Sequence, residues 1–275
     1  MQIRGSRVFI SGAAGGIGRA TAVEMAKAGG RLFLTDINGN GLDETCSLIR
    51  RTGNDVCMAG AFDIADHEAV SAFADEIHSR FGPLNILVNV AGIALFSQIE
   101  AMSHTDWEKI IGVNLWGVIH GIECFVPEMI RGRGGGHIVT VSSTAGIIGL
   151  PWHAAYAASK HALVGISEVL RYDLRKHGIG VSIVCPGAVN TGLVQTADIH
   201  AEPGAARKAR DLFLKITMPP EKVAGMIVDA VERKRFFVIT SLDIKLLYFL
   251  KKHFFPAYHL IMRLLTRAMD GVLLK

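Results

Sequence analysis

The chain alternates between short apolar runs and longer stretches in which apolar residues recur every three or four positions. Runs at 7–11, 31–36, 56–63, 85–89, 136–142, 180–185 and 236–240 are rich in Val, Ile, Leu and Phe and predict seven strands. Helical spacing predicts one helix in each gap, over 16–28, 41–52, 66–81, 105–130, 154–177 and 219–232. Strands that are apolar on both sides, each followed by a helix, imply βαβ crossovers and a parallel sheet covered on both faces. The expected fold class is therefore α/β, a doubly wound seven-stranded parallel sheet. Nothing divides residues 1–241, which read as one domain carrying an integral substrate loop at 190–218. Within that loop, the polar, Ala-rich stretch 198–209 reads as a mobile insert. Residues 242–275 predict a C-terminal extension of two amphipathic helices parted near Pro256.

Composition narrows the function. Of 275 residues, 50% are hydrophobic and 20% charged, which excludes a disordered chain. The net charge of +4 is carried wholly by residues 242–275, with six basic and two acidic side chains. The neutral remainder lacks the basic face a nucleic-acid-binding protein needs. Cys46, Cys57, Cys124 and Cys185 include no C-x-x-C pair, so the expectation is free thiols and no metal site. The first residues pass straight into a strand without signal-peptide features, and no uncharged apolar run reaches the ~18 residues of a spanning helix. The expectation is a cytoplasmic protein. For residues 242–275 two readings stay open: packing on the body or on a neighbouring subunit, or peripheral contact with a membrane surface.

Candidate chemistry begins after the first strand, where Ser11-Gly12-Ala13-Ala14-Gly15-Gly16-Ile17-Gly18 leads into a helix. Glycines permit the tight turn and close approach to a pyrophosphate, and the helix N-terminus offers free N–H groups to the phosphates. Asp36 closes the second strand, where a carboxylate accepts from both ribose hydroxyls of an adenosine and repels a 2′-phosphate. This favours NAD over NADP, although Arg19 is basic and close. Asp63 reads either as an acceptor for the adenine amino group or as a helix cap. Tyr156 and Lys160 stand four apart on one helical face, so the ammonium is placed to stabilise a phenolate. Ser142-Ser143 ends a strand at the edge where ligands bind in such sheets. Asn114 lies within the long predicted helix, as a capping Asn at a kink or a functional group.

These pieces, in this order, resemble the short-chain dehydrogenase/reductase family, whose members have a Rossmann fold. The matching segments are SGAAGGIG at 11–18, Asp36, Asp63, NVAG at 89–92, Asn114, SS at 142–143, YAASK at 156–160 and PGAVNT at 186–191. The resemblance implies Tyr156 as general acid–base, Ser143 as the group orienting the substrate oxygen, and Lys160 as ribose ligand and modulator of the phenol. It implies that Asn114 holds a helix distortion and a water of a proton relay. Gly12, Gly16, Ile17, Gly18, Asn89, Ala91, Gly92, Pro186, Gly187, Val189 and Thr191 would complete the cofactor site. Two departures stand out. Val90 replaces the family's usual second Asn, weakening a sheet-stabilising polar contact, and Ser11 replaces a Thr while keeping the hydroxyl.

The implied activity is NAD-dependent oxidation of a secondary alcohol or reduction of its ketone, with self-association as a homodimer or homotetramer. Apolar Leu150, Pro151, Trp152, Leu193, Val194 and Phe213 suggest a hydrophobic substrate resembling a steroid, a retinoid or a fatty-acyl derivative. Two alternatives are a non-catalytic nucleotide-sensing or scaffold protein on the same fold, and a dehydratase or epimerase.

Overall fold

A computed structural model describes residues 1–274. Its strands and helices run in the order β1 (Arg7–Ser11), α1 (Gly16–Lys27), β2 (Arg31–Asp36), α2 (Gly39–Arg51), β3 (Val56–Ala61), α3 (His67–Phe81), β4 (Ile86–Asn89) and β5 (Leu95–Phe96). Next come α4 (His104–Ile111), α5 (Gly117–Arg131), β6 (Gly136–Val141), α6 (Ala154–Asp173), β7 (Ile179–Cys185), α7 (Gly192–Thr196), β8 (Asp198–Ile199) and α8 (Pro203–Leu214). The chain ends in α9 (Pro220–Arg233), β9 (Phe237–Ile239), α10 (Leu242–His253) and α11 (Phe255–Leu273).

Seven strands form one parallel sheet in the order β3-β2-β1-β4-β6-β7-β9. The period of two along each strand sorts the side chains between two cores. Val8, Ile10, Leu32 and Leu34 pack with Met25 of α1, Ile49 of α2 and Ile227 of α9 on one face. Phe9, Phe33, Leu87 and Ile138 pack with Phe73 of α3 and Phe125 of α5 on the other. The strand order reverses direction between β1 and β4, and the crevice at the carboxyl ends of these strands is where open α/β sheets bind ligands.

Two expectations are corrected. The helix predicted over 105–130 is interrupted by a π-helical turn at Gly112–Trp116, because the Asn114 side chain bonds to Ile93 instead of leaving a plain helical ladder undisturbed. The whole run His104–Arg131 is long and apolar enough to cross a membrane by length and composition once a charged residue or two is tolerated, although no uncharged stretch in it reaches that length. Here it packs on the sheet, with Phe125 and Met129 buried among Phe9 and Ile138. The stretch 198–209 is ordered. Asp198 and His200 donate their N–H groups to Ala94 and Phe96 across the β5–β8 pair, and Ala205 and Ala206 of α8 are buried.

The C-terminal helices meet at Phe254, with Pro256 in the first turn of α11 where its missing N–H costs nothing. They pack on the body. Tyr258 is buried and Ile244, Leu247 and Met262 are partly buried against Ile147, Ile148 and Leu163. Trp152 Nε1 donates to Asp270 at 2.9 Å, and Lys251 donates to the Ile147 carbonyl at 2.7 Å. Lys275 lies outside the described residues.

Candidate active site

The turn between β1 and α1 is built so that side chains cannot fit. Gly12 and Gly16 have φ of 72° and 50°, a region that favours glycine. A Cβ on Gly12 would stand 2.8 Å from the Ala91 backbone, one on Gly16 would stand 2.8 Å from the Thr191 side chain, and one on Gly18 would collide with the Gly12 carbonyl. The loop is thus pressed against the ends of β4 and of the β7–α7 connection. Ser11 accepts from the Val90 and Ala91 N–H groups at 3.1 and 3.3 Å. The hydroxyl at position 11 therefore joins β1 to β4 beside Val90. Asn89 is buried but turns its amide toward Gly121 of α5, where neither polar atom of the side chain finds a partner. Its side chain is thus not among the groups lining the crevice.

Asp36 is half-buried. One carboxylate oxygen accepts from Ala14 N–H and the other from Asn38 N–H, both at 2.9 Å, which leaves each oxygen a further lone pair. Arg19 is held away from it. Its guanidinium pairs with Glu44 at 2.8 Å and donates to Thr45 Oγ1 and the Gly41 carbonyl. Asp63 lies in the exposed turn after β3 and accepts from Ala65 N–H. The cap of α3 is Asp66, which accepts from Glu68 and Ala69.

The opposite wall carries the candidate catalytic groups. Tyr156 and Lys160 lie on one side of α6, both buried, with Lys160 Nζ 5.9 Å from the phenol ring centroid. Nζ donates to the Val141 carbonyl at 3.1 Å, leaving two N–H donors for a ligand. Burial lowers the Lys160 pKa to about 8. Burial also raises the Tyr156 pKa, while the Ser143 hydroxyl favours the phenolate. Ser143 caps the short turn after β6, its Oγ accepting from Ala145 N–H. Ser142 is a structural group, donating to the Lys160 carbonyl.

Asn114 is fully buried behind this wall. Its amide accepts from Ile93 N–H at 2.8 Å, donates to the Ile93 carbonyl at 3.0 Å, and reaches Ser159 Oγ at 3.3 Å. A Cβ on Gly92 would meet Asn114 Oδ1 at 3.0 Å and Lys160 Nζ at 3.3 Å, so only glycine lets these two groups share that corner.

One cavity of about 710 Å³ joins these walls. Ile17, Gly92, Ser143, Tyr156, Lys160, Pro186, Gly187, Val189 and Thr191 line it together. Glycines whose Cβ positions are blocked on one side, and polar groups facing one another across a cleft on the other, fit a dinucleotide with its nicotinamide end at Tyr156. Of the apolar residues expected there, Leu150, Leu193, Val194 and Phe213 line the cavity. Trp152 is buried instead beneath α11 with φ 64°.

Several lining residues were not anticipated. His153 faces the cavity beside Tyr156 and bonds to the Pro151 carbonyl through Nδ1. Its place three residues before Tyr156 on the same helical face was the available signal. Arg210 of α8 also lines it, donating to the Ala197 carbonyl while its Nε has no partner. Ile244 and Leu247 of α10 and Leu265, Met269, Val272 and Leu273 of α11 close one side. The C-terminal extension is thus part of the cavity wall.

An α/β sheet with this switch-point crevice and a glycine turn defines a nucleotide-binding Rossmann fold of the dehydrogenase type. The family described as short chain dehydrogenase matches residues 6–201, and the chain belongs to this family of oxidoreductases. It is 34% identical over 244 residues to SadH, named as an oxidoreductase of Mycobacterium tuberculosis, covering 88% of each chain. It is 32% identical over 257 residues to a C alpha-dehydrogenase of Sphingobium sp., covering 90% of this chain and 83% of that one. Among solved structures, a short chain dehydrogenase/reductase from Burkholderia phymatum in complex with NAD superposes with a TM-score of 0.82 at 30% identity, covering 91% of this chain and 94% of the other.

Proposed function

We propose that this oxidoreductase uses NAD to interconvert a hydrophobic secondary alcohol and its ketone. The observation that carries the reading is that Ser143, Tyr156 and Lys160 line one predominantly apolar cavity that reaches Ile17 at the glycine turn. NAD supplies the hydride acceptor at its nicotinamide ring. The Ser143 hydroxyl donates to the substrate oxygen and fixes the carbinol carbon. Tyr156 takes the hydroxyl proton during oxidation and returns it during reduction. Lys160 Nζ, with two donors free beyond Val141, holds the nicotinamide ribose. Its positive charge favours the phenolate in a wall where burial alone holds the phenol neutral. Asn114 fixes Gly92 and Ile93, and with them the corner beside Lys160.

NAD is preferred over NADP in this reading. Asp36 offers free lone pairs to ribose hydroxyls, and its charge repels a 2′-phosphate. Arg19, the nearest compensating cation, is already engaged by Glu44. The apolar lining supports steroid-like, retinoid-like or fatty-acyl-like substrates. Self-association as a dimer or tetramer is part of the same proposal, read by light scattering.

The test is NADH formation with a panel of hydrophobic secondary alcohols, run against Tyr156→Phe. Turnover that requires NAD and is lost in the variant supports the proposal. Undiminished turnover in the variant refutes it.

A further inference from the structure

The two C-terminal helices are apolar on both sides. Their inner side closes the cavity and packs on Ile147, Ile148 and Leu163. Their outer side has no cover. Among the described residues, nine of the seventeen large hydrophobic side chains left exposed lie between Leu242 and Leu274. On α10, Leu242, Leu246 and Phe249 are 80%, 59% and 49% exposed at helical spacings of four and three, hence on one face. On α11, Leu260, Ile261 and Leu264 are 58%, 38% and 54% exposed. The elbow between the helices is an aromatic knot in the open, with the Phe249 ring 4.6 Å from His253 and 6.0 Å from Phe254.

Exposed charge on these helices is predominantly positive, with Asp243 their one exposed carboxylate among the described residues. Lys245, Lys252, Arg263 and Arg267 are exposed, interleaved with the apolar residues at i+3 and i+4 positions, and none forms an ion pair among the described residues. Of the acidic groups in the segment, Asp270 is taken by Trp152 and Asp243 lies at the cavity. Exposed apolar side chains interleaved with unpaired cations complement the headgroup boundary of an anionic bilayer. They do not complement a second copy of the same face, where a symmetric contact would bring eight unpaired cations together.

We propose that the outer face of α10 and α11 docks on an anionic lipid surface. The helices lie in the plane of the interface, with Leu246, Phe249, Leu260 and Leu264 entering the acyl boundary and the four cations meeting lipid phosphates. The inner face stays on the body.

The experiment is flotation of the full-length protein with vesicles of phosphatidylcholine alone or mixed with phosphatidylglycerol. It needs no substrate, so its outcome stands apart from the proposed reaction. Binding is expected on the anionic vesicles and to weaken at high salt. The combined variant Leu246→Ser, Phe249→Ser and Leu264→Ser should lose at least about tenfold in partitioning. The variant Lys245→Glu, Lys252→Glu, Arg263→Glu and Arg267→Glu should lose the preference for anionic vesicles, each cation contributing about fivefold. Unchanged NAD affinity certifies the fold of each variant, since none of these side chains lines the cavity. Absence of flotation, or equal flotation of wild type and both variants, overturns the proposal. A smaller oligomer for the serine variant by light scattering, with no vesicle binding by wild type, overturns it in favour of a subunit contact.

Discussion

The two ends of the cavity are built on different principles. At the dinucleotide end, position is enforced by backbone. Gly12, Gly16 and Gly18 sit where a Cβ would strike Ala91, Thr191 or the loop itself, and Ser11 and Asp36 bond to main-chain N–H groups. At the substrate end, position is enforced by side-chain packing between segments far apart in sequence: β5 with β8, α8 with α11, and Trp152 with Asp270. Backbone enforcement tolerates almost no substitution, whereas a packed apolar wall admits many combinations of similar volume. One end therefore suits a ligand of fixed shape, and the other suits ligands of differing apolar bulk.

Four substitutions probe that division, the first with the largest expected effect. Tyr156→Phe should lower kcat by about 10²–10⁴-fold while the calorimetric NAD affinity changes little, because the phenol oxygen serves the reacting end. A matching loss of NAD affinity would mean that the two ends are not separable.

Next is the buried ammonium. Burial lowers the Lys160 pKa to about 8 from 10.5. Between these values the unfolded chain binds more protons than the folded one, so this group makes stability rise with pH, by about 3 kcal/mol over the window. Cys185, whose thiol is pushed up to about 12 from 9.0 by burial, acts in the opposite sense at its upper end. Lys160 and Cys185 also act on each other's charge, so the thermal stabilities of wild type and Lys160→Met are compared in a Cys185→Ala background. There the protein retaining Lys160 should gain on the variant as pH rises from about 8 toward 10, and a pH-independent difference would disprove it.

Asp36→Ala removes the acceptor of two backbone N–H groups and the proposed ribose contact together. NAD affinity should fall by about tenfold, the worth of one or two charge-assisted hydrogen bonds, and the ratio of NAD to NADP affinity should move toward NADP. An unchanged ratio would detach Asp36 from coenzyme choice. The smallest effect is expected from Trp152→Phe, which deletes the 2.9 Å bond to Asp270. About 1 kcal/mol of stability should be lost, and KM for hydrophobic alcohols should rise while NAD affinity stays the same.

What the sequence disclosed follows the same division. The sheet and the glycine turn were legible because apolar periodicity and a short motif are local signals. Tyr156 and Lys160 could be set on one side of a helix because four residues part them, whereas the choice of Ser143 over Ser142 came from the family resemblance and not from the strand end. A distortion at Asn114 was implied by the family resemblance, but its form was not legible, since it depends on Ile93, twenty-one residues earlier, offering both its backbone groups. The inward turn of Asn89 depends likewise on the room left by Gly121. The order in 198–209 escaped because polar, Ala-rich sequence acquires structure there by pairing with β5, a two-residue strand too short to recognise. That α10 and α11 wall the cavity was hidden by a helical pattern apolar on both sides, which does not say which side faces inward.

The placing of that wall has a consequence for biosynthesis. All seven strands of the main sheet precede residue 240, so every strand leaves the ribosome ahead of α10 and α11 and can join the sheet before that wall is in place. The sheet would then acquire affinity for nucleotide before it can enclose an alcohol, and a coenzyme already abundant in the cell would stabilise the young sheet by mass action while the rest is still folding.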